Sequence, residues 1–161
     1  MRKAKSSKKP INNGVQVPKV LLFIGHTLQF VSHNLATKFA VKLFKTPMRF
    51  KSPEREKLMA KSAQKEMTFI NEIEKNVMVY SYGYSKRKVL LVHGWSGRGT
   101  QLYKIADKLL EHGFMTISFD APAHGKSSGK TTMMPEFIKT IHQLDKELGP
   151  FEIVIGHSLG G

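Results

Sequence analysis

Phe151-Glu152-Ile153-Val154-Ile155-Gly156-His157-Ser158-Leu159-Gly160-Gly161 is the stretch on which the reading of this sequence turns. A short apolar run passes directly into Gly-x-Ser-x-Gly. That pentapeptide, placed after a buried strand, marks a sharp strand-to-helix turn that lifts a serine hydroxyl above a parallel sheet. The glycines two residues either side of Ser158 have a steric role: the serine takes a strained backbone conformation, and side chains at those positions would strike the strand or the following helix. The rest of the chain is then read for the sheet and anion pocket such a serine needs.

Working back from the elbow, strand, loop and helix alternate. Glu152–Ile155 is preceded by Gly149-Pro150, which stops a helix over Met133–Leu148 whose Phe137, Ile141, Leu144 and Leu148 share one face. Before it come the strand Met115–Phe119 and the loop Asp120–Gly125. A helix over Gln101–His112 is closed by Gly113, a good C-terminal cap. Val89-Leu90-Leu91-Val92 is a continuous apolar run, as in a strand buried on both faces, and runs into His93-Gly94-Trp95-Ser96-Gly97-Arg98-Gly99. Strands alternating with helices imply right-handed crossovers and a parallel sheet. Further upstream, Met67–Ile70 and Val77–Tyr82 read as an antiparallel hairpin turning at Glu74-Lys75-Asn76, with Tyr80, Tyr82 and Tyr84 packing on sheet faces. Ser52-Pro53-Glu54 reads as a helix start with a capping hydroxyl, the helix running to about Glu66.

The N-terminal third is different in kind. Of the 161 residues, 1–53 hold 11 Lys/Arg and no acid, so they carry 11 of the 14 excess positive charges. Residues 1–19 read as a flexible basic tail, and residues 20–66 as a helical extension ahead of a domain over 67–161. Ile24, Leu28, Val31, Leu35, Phe39 and Leu43 recur at spacings of three and four, the stripe of one amphipathic helix. Its polar groups weigh against a membrane-spanning helix, and no small-residue cleavage site follows to suit a signal peptide. Two readings remain: a helix packed on the following domain, which is favoured, or an interfacial helix through which residues 1–45 touch a membrane surface. Nucleic-acid binding ranks lowest, because no aromatic interleaves the basic tail and no nucleic-acid fold motif follows. Apolar content of 40% and charged content of 24% suit a globular protein. The absence of cysteine removes disulfides and thiolate sites and fits a reducing, cytoplasmic setting. No metal-ligand spacing is seen, and no cofactor is expected.

Three motifs stand in order at the ends of strands: His93-Gly94-Trp95-Ser96-Gly97, Asp120-Ala121-Pro122-Ala123-His124-Gly125-Lys126-Ser127 and Gly156-His157-Ser158-Leu159-Gly160-Gly161. Together they resemble the α/β-hydrolase superfamily over roughly residues 67–161. The resemblance implies a partial α/β-hydrolase fold, a mostly parallel sheet with an N-terminal antiparallel hairpin and helices on both faces. It makes Ser158 the nucleophile and gives the oxyanion hole to the backbone N–H groups of Leu159 and Trp95. It further implies an ester-type small-molecule substrate, with thioester or amide as variants. His93 and His124 are read as loop-holding residues, Asp120 as a loop brace, and His157 as a packed neighbour of the nucleophile. In this superfamily the acid and histidine follow the serine along the chain, whereas all seven histidines here precede it. The expectation is therefore the N-terminal portion of a serine hydrolase, inactive alone, with the Glu152–Ile155 strand left as an exposed apolar edge.

Overall fold

In the computed structural model, residues 17–161 are described. Of the flexible basic tail expected over residues 1–19, residues 1–16 lie outside the described residues, while Lys19 already opens the first helix. The chain divides into two units, Met1–Ala40 and Val41–Gly161.

The amphipathic stripe over residues 20–45 becomes two helices rather than one, α1 (Lys19–Val31) and α2 (His33–Lys45). The break is at Ser32, which takes extended backbone angles (φ −164°, ψ 124°) while its N–H still caps the Leu28 carbonyl. Neither helix buries a residue. Ser52 does not cap a helix through the backbone; its hydroxyl lies 3.4 Å from the Glu56 carboxylate, and a single 3₁₀ turn (Glu54–Glu56) leads into the short α3 (Lys57–Ser62). That helix ends before the expected Glu66, because Gln64-Lys65-Glu66 already pairs in the sheet.

The sheet has five strands: β1 (Gln64–Ile70), β2 (Lys75–Tyr82), β3 (Lys88–Val92), β4 (Met115–Asp120) and β5 (Ile153–Gly156), in the order β1-β2-β4-β3-β5. β2 pairs antiparallel with both β1 and β4, while β3 pairs parallel with β4 and β5, so β2 alone runs against the other four. The sheet is thus mostly parallel and opens with an antiparallel hairpin, whose turn places Glu74 in the left-handed region (φ 50°). Helix α4 (Tyr103–Glu111) links β3 to β4, and α5 (Met134–Leu148) links β4 to β5.

β3 shows why its apolar run is unbroken. Leu90 and Val92 join one core with Ile117, Phe119, Phe137 and Leu144, under α5. Val89 and Leu91 point the other way, into a second core with Met59 and Ala106, under α3 and α4. Helices cover both faces, so every β3 side chain past Lys88 is sealed from water. β5 is the sheet edge, and Ile153 and Val154 on it are 42% and 57% exposed. Of the three alternating tyrosines, Tyr80 is buried, but Tyr84 is 88% exposed. Tyr84 lies past the end of β2, beyond the strand pairing that would give it a face to pack on.

Candidate active site

The C-terminal ends of β3, β4 and β5 bring the three motif loops together. At the end of β5 the chain turns sharply: His157 is still extended (φ −122°), Ser158 jumps to φ +56°, and a 3₁₀ turn over Ser158–Gly160 follows. A non-glycine residue in that region is uncommon and strained. The flanking glycines make the turn sterically possible. A Cβ on Gly156 would overlap the Gly160 carbonyl. One on Gly160 would come within 2.6 Å of the Val92 carbonyl and 2.7 Å of the His93 carbonyl. The elbow is also stitched to β3 by the His157 N–H, which donates to the Val92 carbonyl at 3.0 Å.

The loop after β3 lies directly against the elbow. A Cβ on Gly94 would stand 2.9 Å from the His157 carbonyl and 3.0 Å from the Ser158 Cβ, so only glycine lets the two backbones approach this closely. Ser96 in the same loop also has positive φ (56°). Trp95, Ser158 and Leu159 line a common cavity of about 500 Å³ with Phe44, Met133 and Met134. Among the described residues, neither the Trp95 nor the Leu159 N–H donates to a backbone or side-chain acceptor. The elbow and the adjoining loop therefore line one cavity, and two of their backbone N–H groups have no acceptor among the described residues.

Two buried histidines hold these loops. His93 Nε2 accepts the Ala121 N–H (2.9 Å), which leaves the proton on Nδ1, donated to the Gly94 carbonyl at 2.6 Å. His124 repeats the pattern: Nε2 accepts the Ser96 N–H (3.0 Å), and Nδ1 donates to the Pro122 carbonyl (3.0 Å). Each ring therefore ties one strand-end loop to the next, with the ring centroids 5.0 Å apart. Burial pushes the His93 pKa down to about 3 and lowers that of His124, so both stay neutral near pH 7. With both nitrogens engaged, neither is free to take a proton from Ser158.

Asp120 braces its own loop. Its carboxylate accepts the Gly99 N–H (2.7 Å), the Lys126 N–H (2.8 Å) and the Tyr80 hydroxyl (3.1 Å) while 1% exposed. Gly125 (φ +45°) is packed so tightly on this carboxylate that no Cβ would fit. Burial, followed by the neighbouring Asp120 charge, drives the Tyr80 phenol strongly upward, so it stays a donor.

His157 departs from expectation: it is exposed rather than packed. It follows the edge strand β5, and no described element covers the far side of that edge. Among the described residues no group of His, Cys, Asp and Glu is placed to hold a metal ion. Sequence reasoning missed Phe44, Met133 and Met134 as cavity walls, because none of them lies in a motif loop and their approach to Ser158 is set by long-range folding.

Residues 88–161 match the family model of the α/β-hydrolase fold. Among solved structures, the chain is similar to a bromoperoxidase from Bacillus anthracis (28% identity, 61% of this chain and 36% of that one, TM-score 0.54). It is also similar in fold to an esterase from Pyrococcus furiosus (23%, 71% and 49%, TM-score 0.56) and to a thioesterase domain from the curacin biosynthetic pathway (23%, 61% and 38%, TM-score 0.55). No curated protein sequence matches it. The chain thus spans between about a third and a half of the length of these three structures. The elbow, the His-Gly loop and the braced Asp120 loop are all carried on the strand ends of this sheet, and residues 88–161 are similar to the α/β-hydrolase fold.

Proposed function

We propose that Ser158 is the nucleophile of a hydrolase acting on carboxylic esters, with thioesters and amides as related substrates. The observation that carries this reading is the strained Ser158 at φ +56°, on an apolar cavity beside the unengaged Trp95 and Leu159 N–H groups. In the reaction, the Ser158 oxygen would attack the ester carbonyl while its proton passes to a base. The carbonyl oxygen, now an oxyanion, would be held by the two N–H groups. Donors of this kind contribute about 2.7–4 kcal/mol each in other enzymes. The C–O bond to the alcohol then breaks, the alcohol leaves with the proton, and water releases the acid from the acyl-serine. A serine at the elbow fits this covalent route better than an epoxide-opening one, which uses an aspartate there.

Neither His93 nor His124 has a free nitrogen to act as base. The reading therefore requires a base other than these two rings. The test is hydrolysis of p-nitrophenyl esters by the chain alone and by the chain carried on through its reading frame. Activity only in the longer protein, abolished by Ser158→Ala, supports the assignment; activity surviving Ser158→Ala defeats it.

A second reading concerns α1. Val20, Phe23, Phe30 and Val31 are 67%, 73%, 94% and 68% exposed, and the helix carries no acid in its first turn. An exposed apolar face following a basic tail suits shallow insertion into an anionic membrane surface. No helix among the described residues is long and apolar enough to cross a membrane. Co-sedimentation with vesicles containing phosphatidylserine, weakened by salt and by Phe23→Ser with Phe30→Ser, would support surface binding; no pelleting would dismiss it.

A further inference from the structure

The cavity at Ser158 has a wall from outside the stretch that carries the family match. Phe44, near the end of α2, stacks on Trp95 with ring centroids 6.2 Å apart and planes 19° from parallel. The segment that follows is tied down on both motif loops. The Lys45 carbonyl accepts the Thr132 N–H (2.9 Å), and the Met48 N–H donates to Ser96 Oγ (3.0 Å). The Arg49 guanidinium donates to the carbonyls of Ala123 (3.0 Å), Ser127 (2.7 Å) and Gly129 (3.0 Å). Pro47, between these anchors, is buried. Residues 44–49 are thus a strap fixed across the loops after β3 and β4, and it sets Phe44 in place.

Of the six residues lining the cavity, Ser158 alone has a polar reactive side chain; none carries a charge. A charged or heavily hydroxylated group entering it would lose water and gain no partner, which disfavours it in an apolar site. Phe44 is nevertheless 72% exposed, and Trp95 37%. The two near-parallel rings stack, and each keeps area left to cover. Met133 and Met134 add unbranched, adaptable side chains.

We propose that Phe44 is a specificity-determining residue: with Trp95 it forms the wall on which the unbranched apolar acyl group of the substrate lies. The proposal deepens the reading of Ser158 as an ester nucleophile, on which the word substrate rests, but the binding it describes needs no turnover.

Trp95 is the chain's single tryptophan, so its emission reports this wall directly. The experiment titrates the protein with methyl butanoate, methyl hexanoate and methyl octanoate. Each added methylene is expected to tighten binding about fourfold, the equivalent of burying one CH₂. Phe44→Ala should weaken methyl octanoate binding roughly tenfold, the loss of an aromatic contact, and flatten the chain-length dependence. Phe44→Leu should restore most of it. An unchanged urea midpoint in Phe44→Ala, expected for an exposed side chain, shows that the fold is intact. Equal chain-length slopes in wild type and Phe44→Ala would overturn the proposal, as would no Trp95 response to any ester. A Ser158 that stays inert in the chain extended through its reading frame, alongside intact chain-length binding, would overturn the hydrolase reading and leave the wall standing.

Discussion

Replacing Asp120 by alanine tests whether this carboxylate braces the site or serves as a reactive acid. The side chain is 1% exposed and receives the Gly99 N–H at 2.7 Å, the Lys126 N–H at 2.8 Å and the Tyr80 hydroxyl at 3.1 Å. Removing it strands two backbone donors, each at about 1–3 kcal/mol when left buried without an acceptor. Lys126 and Tyr80 border a smaller cavity of about 220 Å³, from which water can reach them and soften the loss. The expected destabilisation of Asp120→Ala is therefore about 3–4 kcal/mol, a large share of a typical domain's stability of about 5–15 kcal/mol. Tyr80→Phe removes one of the three bonds and should cost about 1 kcal/mol. Asp120→Asn keeps one acceptor oxygen but turns an NH₂ toward a donor, and should fall between the two. Urea unfolding followed by Trp95 emission measures all three. A loss below about 1 kcal/mol for Asp120→Ala would refute the bracing role.

Other outcomes follow from the same geometry. Because the His93 pKa is depressed to about 3 and that of His124 is lowered, the unfolded chain binds more protons than the folded one below pH 6.5. Stability is complete above about pH 6.5 and falls as pH drops toward 3, by up to about 1.4 kcal/mol per pH unit for His93 alone. His93→Gln should flatten that slope in urea midpoints measured at pH 7, 6 and 5, and an unchanged slope would contradict the buried neutral ring. Gly160→Ala, whose Cβ would press within 2.6–2.8 Å of Val92 and His93 atoms, should lose about 1–3 kcal/mol or more, seen as a lowered urea midpoint. Arg49→Ala frees three carbonyls and should loosen the strap, read as a red shift of Trp95 emission with little change in far-ultraviolet dichroism.

Much of this arrangement was written in local pattern. The run Val89–Val92 is buried on both faces because helices cover both, and its lack of alternation said so. Gly94, Gly156 and Gly160 each stand where a Cβ would strike backbone, which is why the motif spacing pointed to the elbow. The limits are equally physical. Gln64-Lys65-Glu66 belongs to an exposed edge strand, so neither face supplies an apolar period, and charge there reads as helix. The break at Ser32 interrupts a stripe whose residues are too exposed to constrain its register. The strap from Phe44 to Arg49 is joined to residues as distant in sequence as Thr132, and no local spacing encodes such contacts. His157 looked like filler by its place in the motif, yet its exposure depends on what packs beyond β5.

The central claim is that the elbow presents Ser158 as a nucleophile. Its most direct test is a fluorophosphonate probe applied to the chain extended through its reading frame, with the adduct mapped by peptide mass spectrometry. A single phosphonyl adduct on the peptide containing Ser158, absent from Ser158→Ala and absent from the unextended chain, is the predicted result. An adduct on another residue, or labelling that survives Ser158→Ala, would contradict the account.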